Sequence, residues 1–167
     1  PCFVLDLTAT PKKESNIISY VDAVQLKNEH MVKLPVIVYN RDSQSEVLID
    51  AIDLRNKLEE IAGEEYTKTG KYIRPIALFQ AQPKGKEDAT TFEKLRDKLV
   101  DAGIPAEQIA IRTADVNELK NTDLMSPSCP IRYIITVNAL KEGWDCPFAY
   151  ILASLANKTS QVDVEQI

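Results

Sequence analysis

Apolar positions along the chain fall into short runs, separated by longer stretches where they recur at three- and four-residue steps. "CFVLDL", Cys2 to Leu7, is apolar except for Asp6 and predicts a buried strand. Thr8, Ala9, Thr10 and Pro11 form a polar exit, and Lys12 to Ser15 read as a solvated linker. Lys33 to Tyr39 carries the β-rich run Val36, Ile37, Val38. The turn Asn40-Arg41-Asp42-Ser43 follows, with Asp42 or Ser43 as candidate helix N-cap. Val47, Leu48, Ala51, Ile52, Leu54, Leu58, Ile61, Ala62 and Tyr66 then step as one face of a helix from Ser45 to about Lys68, ended by Thr69 and Gly70.

Shorter elements alternate after that helix. "RPIALFQ", Arg74 to Gln80, predicts a strand, and "AQPKGKEDA" a loop. "TTFEKLRDKLVDAG" predicts an amphipathic helix with Phe92, Leu95, Leu99 and Val100 on one side, closed by Gly103. "EQIAIRT" predicts a strand, "DVNELKN" a short helix, and Pro130 to Val137 and Phe148 to Leu155 two further strands. "SQVDVEQI" starts like a helix with Ser160 as N-cap. Strands alternating with helices mark βαβ units around a parallel sheet. Ligands of such sheets meet the loops at the carboxyl ends of the strands. "TAT", "QAQPKGK", "RTAD" and "VNALKEGWD" all follow predicted strands and are expected along one edge.

Composition narrows the possibilities. The chain has 167 residues, 44% hydrophobic and 27% charged, which suits one globular domain. The net charge of −5 is not the basic footprint of a free-standing nucleic-acid binder, so any such contact is expected to be local or shared. Cys2, Cys129 and Cys146 lack metal-ligand spacing, and His30 stands alone; reduced thiols and no metal site are expected. No apolar run approaches a membrane span and no leader opens the chain, which points to the cytoplasm. The patterns G-x-x-x-x-G-K-[ST], G-x-G-x-x-G and G-x-S-x-G do not occur, and there are five glycines in all.

Three stretches, "LDLTATP", "ITVNALKEGWDCP" and "VEQI", resemble in this order motifs III, V and the start of VI of superfamily-two helicases and translocases. The nearest likeness is to the helicase (Res) subunit of type III restriction enzymes. It rests on "IRYIITVNALKEGWDCPFAYILASL", with "YVDAVQLKNEHMVKLPV" and "IPAEQIAIRTADVNELK" also similar, and spans nearly the whole chain. The resemblance implies a RecA-like (P-loop NTPase-type) α/β domain of three layers with a mainly parallel sheet. Residues 1–15 would be the motif III strand and linker from a preceding domain, and 16–167 the second RecA-like domain, ending at the start of motif VI. It further implies ATP with Mg2+ in a cleft shared with a first RecA-like domain, DNA as the track, a methyltransferase (Mod) subunit as partner, a C-terminal nuclease domain elsewhere, and a prokaryotic cytoplasmic setting. The family continues past Gln166 and Ile167 with Gly-Arg and a further Arg, so the expectation is a piece that holds no complete catalytic set and hydrolyses no ATP alone. The alternatives are a flavodoxin-like regulatory or interaction domain without motor activity, or another superfamily-two enzyme such as a repair translocase.

By the same resemblance, Gly143 permits close backbone approach and Asp145 contacts the ATP ribose or the catalytic centre. A capped tight turn is the competing reading of both. Thr8 and Thr10 would couple ATP state to DNA binding, and Gln166 opens the motif VI arm of the ATP site. Asn138, Val137, Thr113 and Gln80 are the DNA-phosphate candidates, each weighed against an ordinary loop residue. Many relatives carry Thr where Val137 stands, and valine has no hydroxyl to donate, so backbone N–H groups would have to substitute there. Trp144 and Phe148 either stack on bases or pack between sheet and helix, and the adjoining apolar strands favour packing. Cys146 reads as a small core residue, and Lys84 and Lys86 as solvated loop charges.

Overall fold

Ser43 turns the chain into its longest helix. In the computed structural model, which describes residues 5, 14, 16–29, 37–83, 89–137 and 146–155, the Ser43 hydroxyl accepts the Glu46 N–H at 3.1 Å. That satisfies one of the donors every helix start leaves open. The chain divides into two compact units, residues 1–40 and 41–167.

In the first unit, α1 (Ala23–Asn28) is a helix that apolar spacing did not reveal. It is nucleated by a capping box: Gln25 N–H donates to Asp22 Oδ1 at 2.8 Å, and Asp22 N–H donates to Gln25 Oε1 at 3.0 Å. The β-rich run of Val36, Ile37 and Val38 forms no strand in its described part, where Ile37 and Val38, with Tyr39, are coil and exposed. β-propensity is realised only on a pleated, half-buried surface, which these residues do not form. Leu5, the described residue of the strand expected over Cys2–Leu7, is likewise outside any strand and exposed.

In the second unit, α2 (Gln44–Thr69) runs the predicted course and ends at Gly70, whose φ of 72° lies in the left-handed region and whose N–H donates to the Tyr66 carbonyl. It is followed by β1 (Ile76–Gln80), α3 (Phe92–Asp101), a 3-10 turn Ala106–Gln108, β2 (Ile109–Arg112), β3 (Tyr133–Thr136) and β4 (Ala149–Ser154). The strands form one sheet in the order β2-β3-β1-β4, every pair parallel. The fold is therefore α/β with a parallel sheet, as the alternation predicts.

Side chains alternate across this sheet. One face sends Ala77, Phe79, Ile109, Ile111, Tyr133, Ile135, Ile151 and Ala153 against Leu48 and Ala51 of α2 and Leu95 and Leu99 of α3. The other face sends Ile76, Leu78 and Ile134 against Cys146, Phe148, Leu119, Leu124 and Ile131. Both faces are thus covered over β1, β2 and β3, which suits the continuous apolar runs of these strands, while Tyr150 and Leu152 of β4 are exposed. Among the described residues the second cover is made of turns and irregular segments.

One such segment corrects the sequence reading. "DVNELKN" is a chain of turns, with no helix. Its residues return to β2, an edge strand: Glu118 N–H donates to the Ile111 carbonyl at 3.0 Å, and the Glu118 carboxylate accepts the Ile111 N–H at 2.7 Å. Arg96 of α3 holds the same carboxylate at 3.3 Å. Bonding to an open strand edge outcompetes one short helical turn, because nucleating a helix is itself unfavourable.

Two arginine clusters support the amino end of the sheet. Arg74, 1% exposed, donates to the carbonyls of Leu124, Ser126 and Cys129 and to the Tyr72 hydroxyl, with its guanidinium 5.7 Å from the Phe148 ring centroid. Arg55, buried on α2, pairs with Glu59 one turn on and lies 5.3 Å from the Tyr133 ring centroid. Arg132 approaches the same carboxylate at 2.8 Å. Burial alone would raise the Glu59 carboxyl, but the bonds and charges of Arg55 and Arg132 outweigh it and hold it below the ordinary value. Burial pushes the Tyr133 phenol up, against the charge of Arg55.

Candidate functional site at the carboxyl edge of the sheet

Strand order decides where a ligand can enter. The connection from β1 crosses to β2 on the face that holds α3. The connections β2 to β3 and β3 to β4 run the other way and put Leu119, Leu124, Ile131, Cys146 and Phe148 on the opposite face. Opposite lateral directions on opposite faces are what a single crossover hand requires. The chain therefore leaves the carboxyl ends of the neighbours β1 and β3 in opposite directions. That crevice is the topological switch point, where open α/β sheets bind ligands.

Four polar residues line up along this edge. Arg112 is in register with Thr136, Thr136 with Gln80, and Gln80 with Ser154. Each is the polar residue that ends an apolar strand: "IAIR", "YIIT", "IALFQ" and "AYILAS". Gln80 is buried; its Nε2 donates to the Val137 carbonyl at 3.2 Å and its Oε1 accepts the Ser154 hydroxyl at 2.8 Å. The Thr136 hydroxyl is buried and has no hydrogen-bond partner among the described residues. An orphaned buried hydroxyl is uncommon in a folded protein and calls for an explanation. Among the described residues the row contains no carboxylate to repel an anion; the Gln80 amide and Ser154 hydroxyl donate within the row, and one Arg112 N–H donates to the Thr113 carbonyl.

Helix starts meet the same edge. Thr90, just before the Thr91 N-cap of α3, donates its hydroxyl to Gln44 Oε1 at 2.7 Å, in the first turn of α2. Two positive helix ends therefore come together beside the exit of β1. Gln44 Nε2 also reaches the Leu155 carbonyl at 3.5 Å, beyond β4.

Of the residues singled out from sequence, Gln80 and Val137 are brought together here. Gln80 turns both its polar atoms toward neighbouring strands, so its contact is structural as well as positional. Thr113 follows β2 at this edge but is buried in its own turn: its hydroxyl accepts the Val116 N–H at 3.0 Å, and its N–H donates to the Val116 carbonyl at 2.7 Å. Phe148 is buried and packs edge-to-face on Tyr72 at 5.9 Å, which is the packing alternative. Cys129 and Cys146 are buried. Thr8, Thr10, Asn138, Gly143, Trp144, Asp145 and Gln166, with Lys84 and Lys86, lie outside the described residues. Arg112, Thr136 and Ser154 were missed from sequence. The signal was partial: Arg112 closes its apolar run, but Val137 and Leu155 carry the runs past Thr136 and Ser154.

No grouping of His, Cys, Asp and Glu among the described residues could hold a metal ion. No described helix is long and apolar enough to cross a membrane. Comparison of the chain with protein-family models, curated proteins and solved structures finds no match.

Proposed function

We propose that the chain is the second motor domain of an ATP-dependent DNA translocase of superfamily two, closest in kind to the helicase subunit of type III restriction enzymes. The observation that carries the reading is the origin of "VNALKEGWDCP". Its described ends are Val137, leaving β3 at the switch point, and Cys146, which leads to β4. A motif V-like loop that starts there supports a ligand contact over a surface turn. The adjacent row of Arg112, Thr136, Gln80 and Ser154, which contains no acid, and the two helix starts support an anionic ligand at the same edge.

In this reading Gly143 and Asp145 hold the ribose side of ATP, and Gln166 and the Thr8–Thr10 segment belong to the same nucleotide half-site. Asn138 and Val137 meet DNA phosphates, Val137 through its backbone, while Thr113, buried in its own turn, shapes the exit of β2. ATP, with Mg2+, would supply the hydrolysable phosphoanhydride, and a first RecA-like domain the phosphate-cradling loop that this chain lacks. The methyltransferase partner, nuclease domain and cytoplasmic setting follow from the type III likeness. The test is DNA-stimulated ATPase activity of the complete protein carrying Asp145→Ala. A lost hydrogen-bonding carboxylate is expected to lower turnover roughly tenfold or more. Wild-type turnover in a folded variant would sink the proposal.

A further inference from the structure

The carboxyl edge carries a run of side-chain amides that joins three exit loops. Gln80 Nε2 donates to the Val137 carbonyl, the last described residue before the loop 138–145, at 3.2 Å. Its Oε1 accepts the Ser154 hydroxyl at 2.8 Å, and its carbonyl accepts the Leu155 N–H at 2.9 Å. The Leu155 carbonyl accepts Gln44 Nε2 at 3.5 Å, and Gln44 Oε1 accepts the Thr90 hydroxyl at 2.7 Å. Thr90 and Gln82 then close the β1 exit reciprocally, with Thr90 N–H on Gln82 Oε1 at 2.8 Å and Gln82 N–H on the Thr90 carbonyl at 2.9 Å.

We infer that Gln80 is a positioning residue: its side-chain amide fixes where the loop after β3 departs relative to the loop after β4, and Gln44 and Thr90 extend that linkage to the loop after β1. The residue type follows from the partners. A carbonyl on one side requires a donor and a hydroxyl on the other can give to an acceptor, so one side chain must present both. Gln80 is 5% exposed, so water is a poor substitute for either bond. Apolar packing of Ala81, Val137 and Leu155 holds the same three exits, but it is non-directional, and the hydrogen bonds add the sharper constraint on angle. The use of this linkage, holding a motif V-like loop against a nucleotide, rests on the motor reading. The linkage itself does not.

Gln80→Glu in this chain tests it. The change is nearly isosteric, and when ionised it turns a donor facing the Val137 carbonyl into an acceptor. Amide exchange over 138–145 and 156–162 is expected to rise roughly tenfold over wild type at neutral pH, with exchange in α3 and β2 unchanged. Trp144, the only tryptophan in the chain, reports the same loop by its emission. Protonation of the introduced carboxyl restores a donor beside an acceptor, so emission and exchange are expected to return to wild-type values at the same pH as it titrates. Wild-type exchange over 138–145 at neutral pH, or a rise spread evenly through the chain that acid does not reverse, would overturn the inference. Should Gln80→Glu not fold, Gln44→Leu breaks only the outer links. Faster exchange over 84–88 with unchanged melting supports the relay, and wild-type exchange there refutes it. These measurements need no ligand, so they fail independently of the Asp145→Ala assay.

Discussion

Replacing Glu59 by glutamine isolates the electrostatics at the amino end of the sheet. The carboxylate serves two guanidiniums, Arg55 of α2 and Arg132 before β3, and Arg55 is 5% exposed. An exposed ion pair contributes about 0–1 kcal/mol. Breaking a fully buried pair costs about 3–5 kcal/mol, because a charge is left uncompensated. The Glu59 side chain is 38% exposed, so solvent screens part of the interaction, and glutamine keeps one acceptor. The expected loss lies between the two limits, about 1–3 kcal/mol, read as a lower urea midpoint at neutral pH. The sign with pH follows from the lowered carboxyl. The unfolded chain binds the proton first as pH falls, so the contribution is whole above the ordinary carboxylate range and fades as pH drops through the folded value. The gap between wild type and Glu59→Gln should therefore close in acid. Adding Arg55→Met to Glu59→Gln removes the stranded charge and should recover part of the loss, a coupling of about 1 kcal/mol or more. Equal urea midpoints at neutral pH, a gap unchanged in acid, or strict additivity in the double variant would each refute the account.

Two simpler substitutions probe the scaffold by the same unfolding assay. Leu95→Ala, at a fully buried position of α3 facing the sheet, should cost about 2–5 kcal/mol; a loss below 1 kcal/mol would mean that α3 is loosely seated. Gly70→Ala meets no atom within 4 Å but must hold φ near 72°, so a loss of about 1 kcal/mol is expected from backbone conformation alone, and an unchanged midpoint would show that the α2 cap relaxes freely.

The regular elements of the second unit were legible because each had a local cause. Ser43, Gly70 and the three- and four-residue steps mark α2, and the uninterrupted runs before Gln80, Arg112 and Thr136 mark strands buried on both faces, while the run before Ser154 is a strand with Tyr150 and Leu152 exposed. Spacing failed where a distant partner decided the outcome. Residues 115–121 have a helix-like pattern, yet they fold onto β2 through Glu118, which no local signal announces. The capping box of Asp22 and Gln25 was present in the sequence but too short to show apolar periodicity. At the site, alternation pointed to the carboxyl edge of the sheet, and the helicase resemblance singled out Gln80 and Val137. The register joining Arg112, Thr136, Gln80 and Ser154 depends on strand order, which no single strand encodes.

Arg74 gives the molecule an anchor of a different kind from Glu59. Its described hydrogen-bond partners are carbonyl oxygens and a phenol, and its charge is met by dipoles instead of a carboxylate. Carbonyl acceptors have no proton to gain or lose, so acid does not remove them as it removes a carboxylate. Acid that dissolves the Glu59 pairs leaves this clamp untouched. As pH falls, α2 should loosen from the start of β3 while the segment around residues 124–129 stays fastened to the start of β1, giving the two faces of one sheet unequal tolerance to acid.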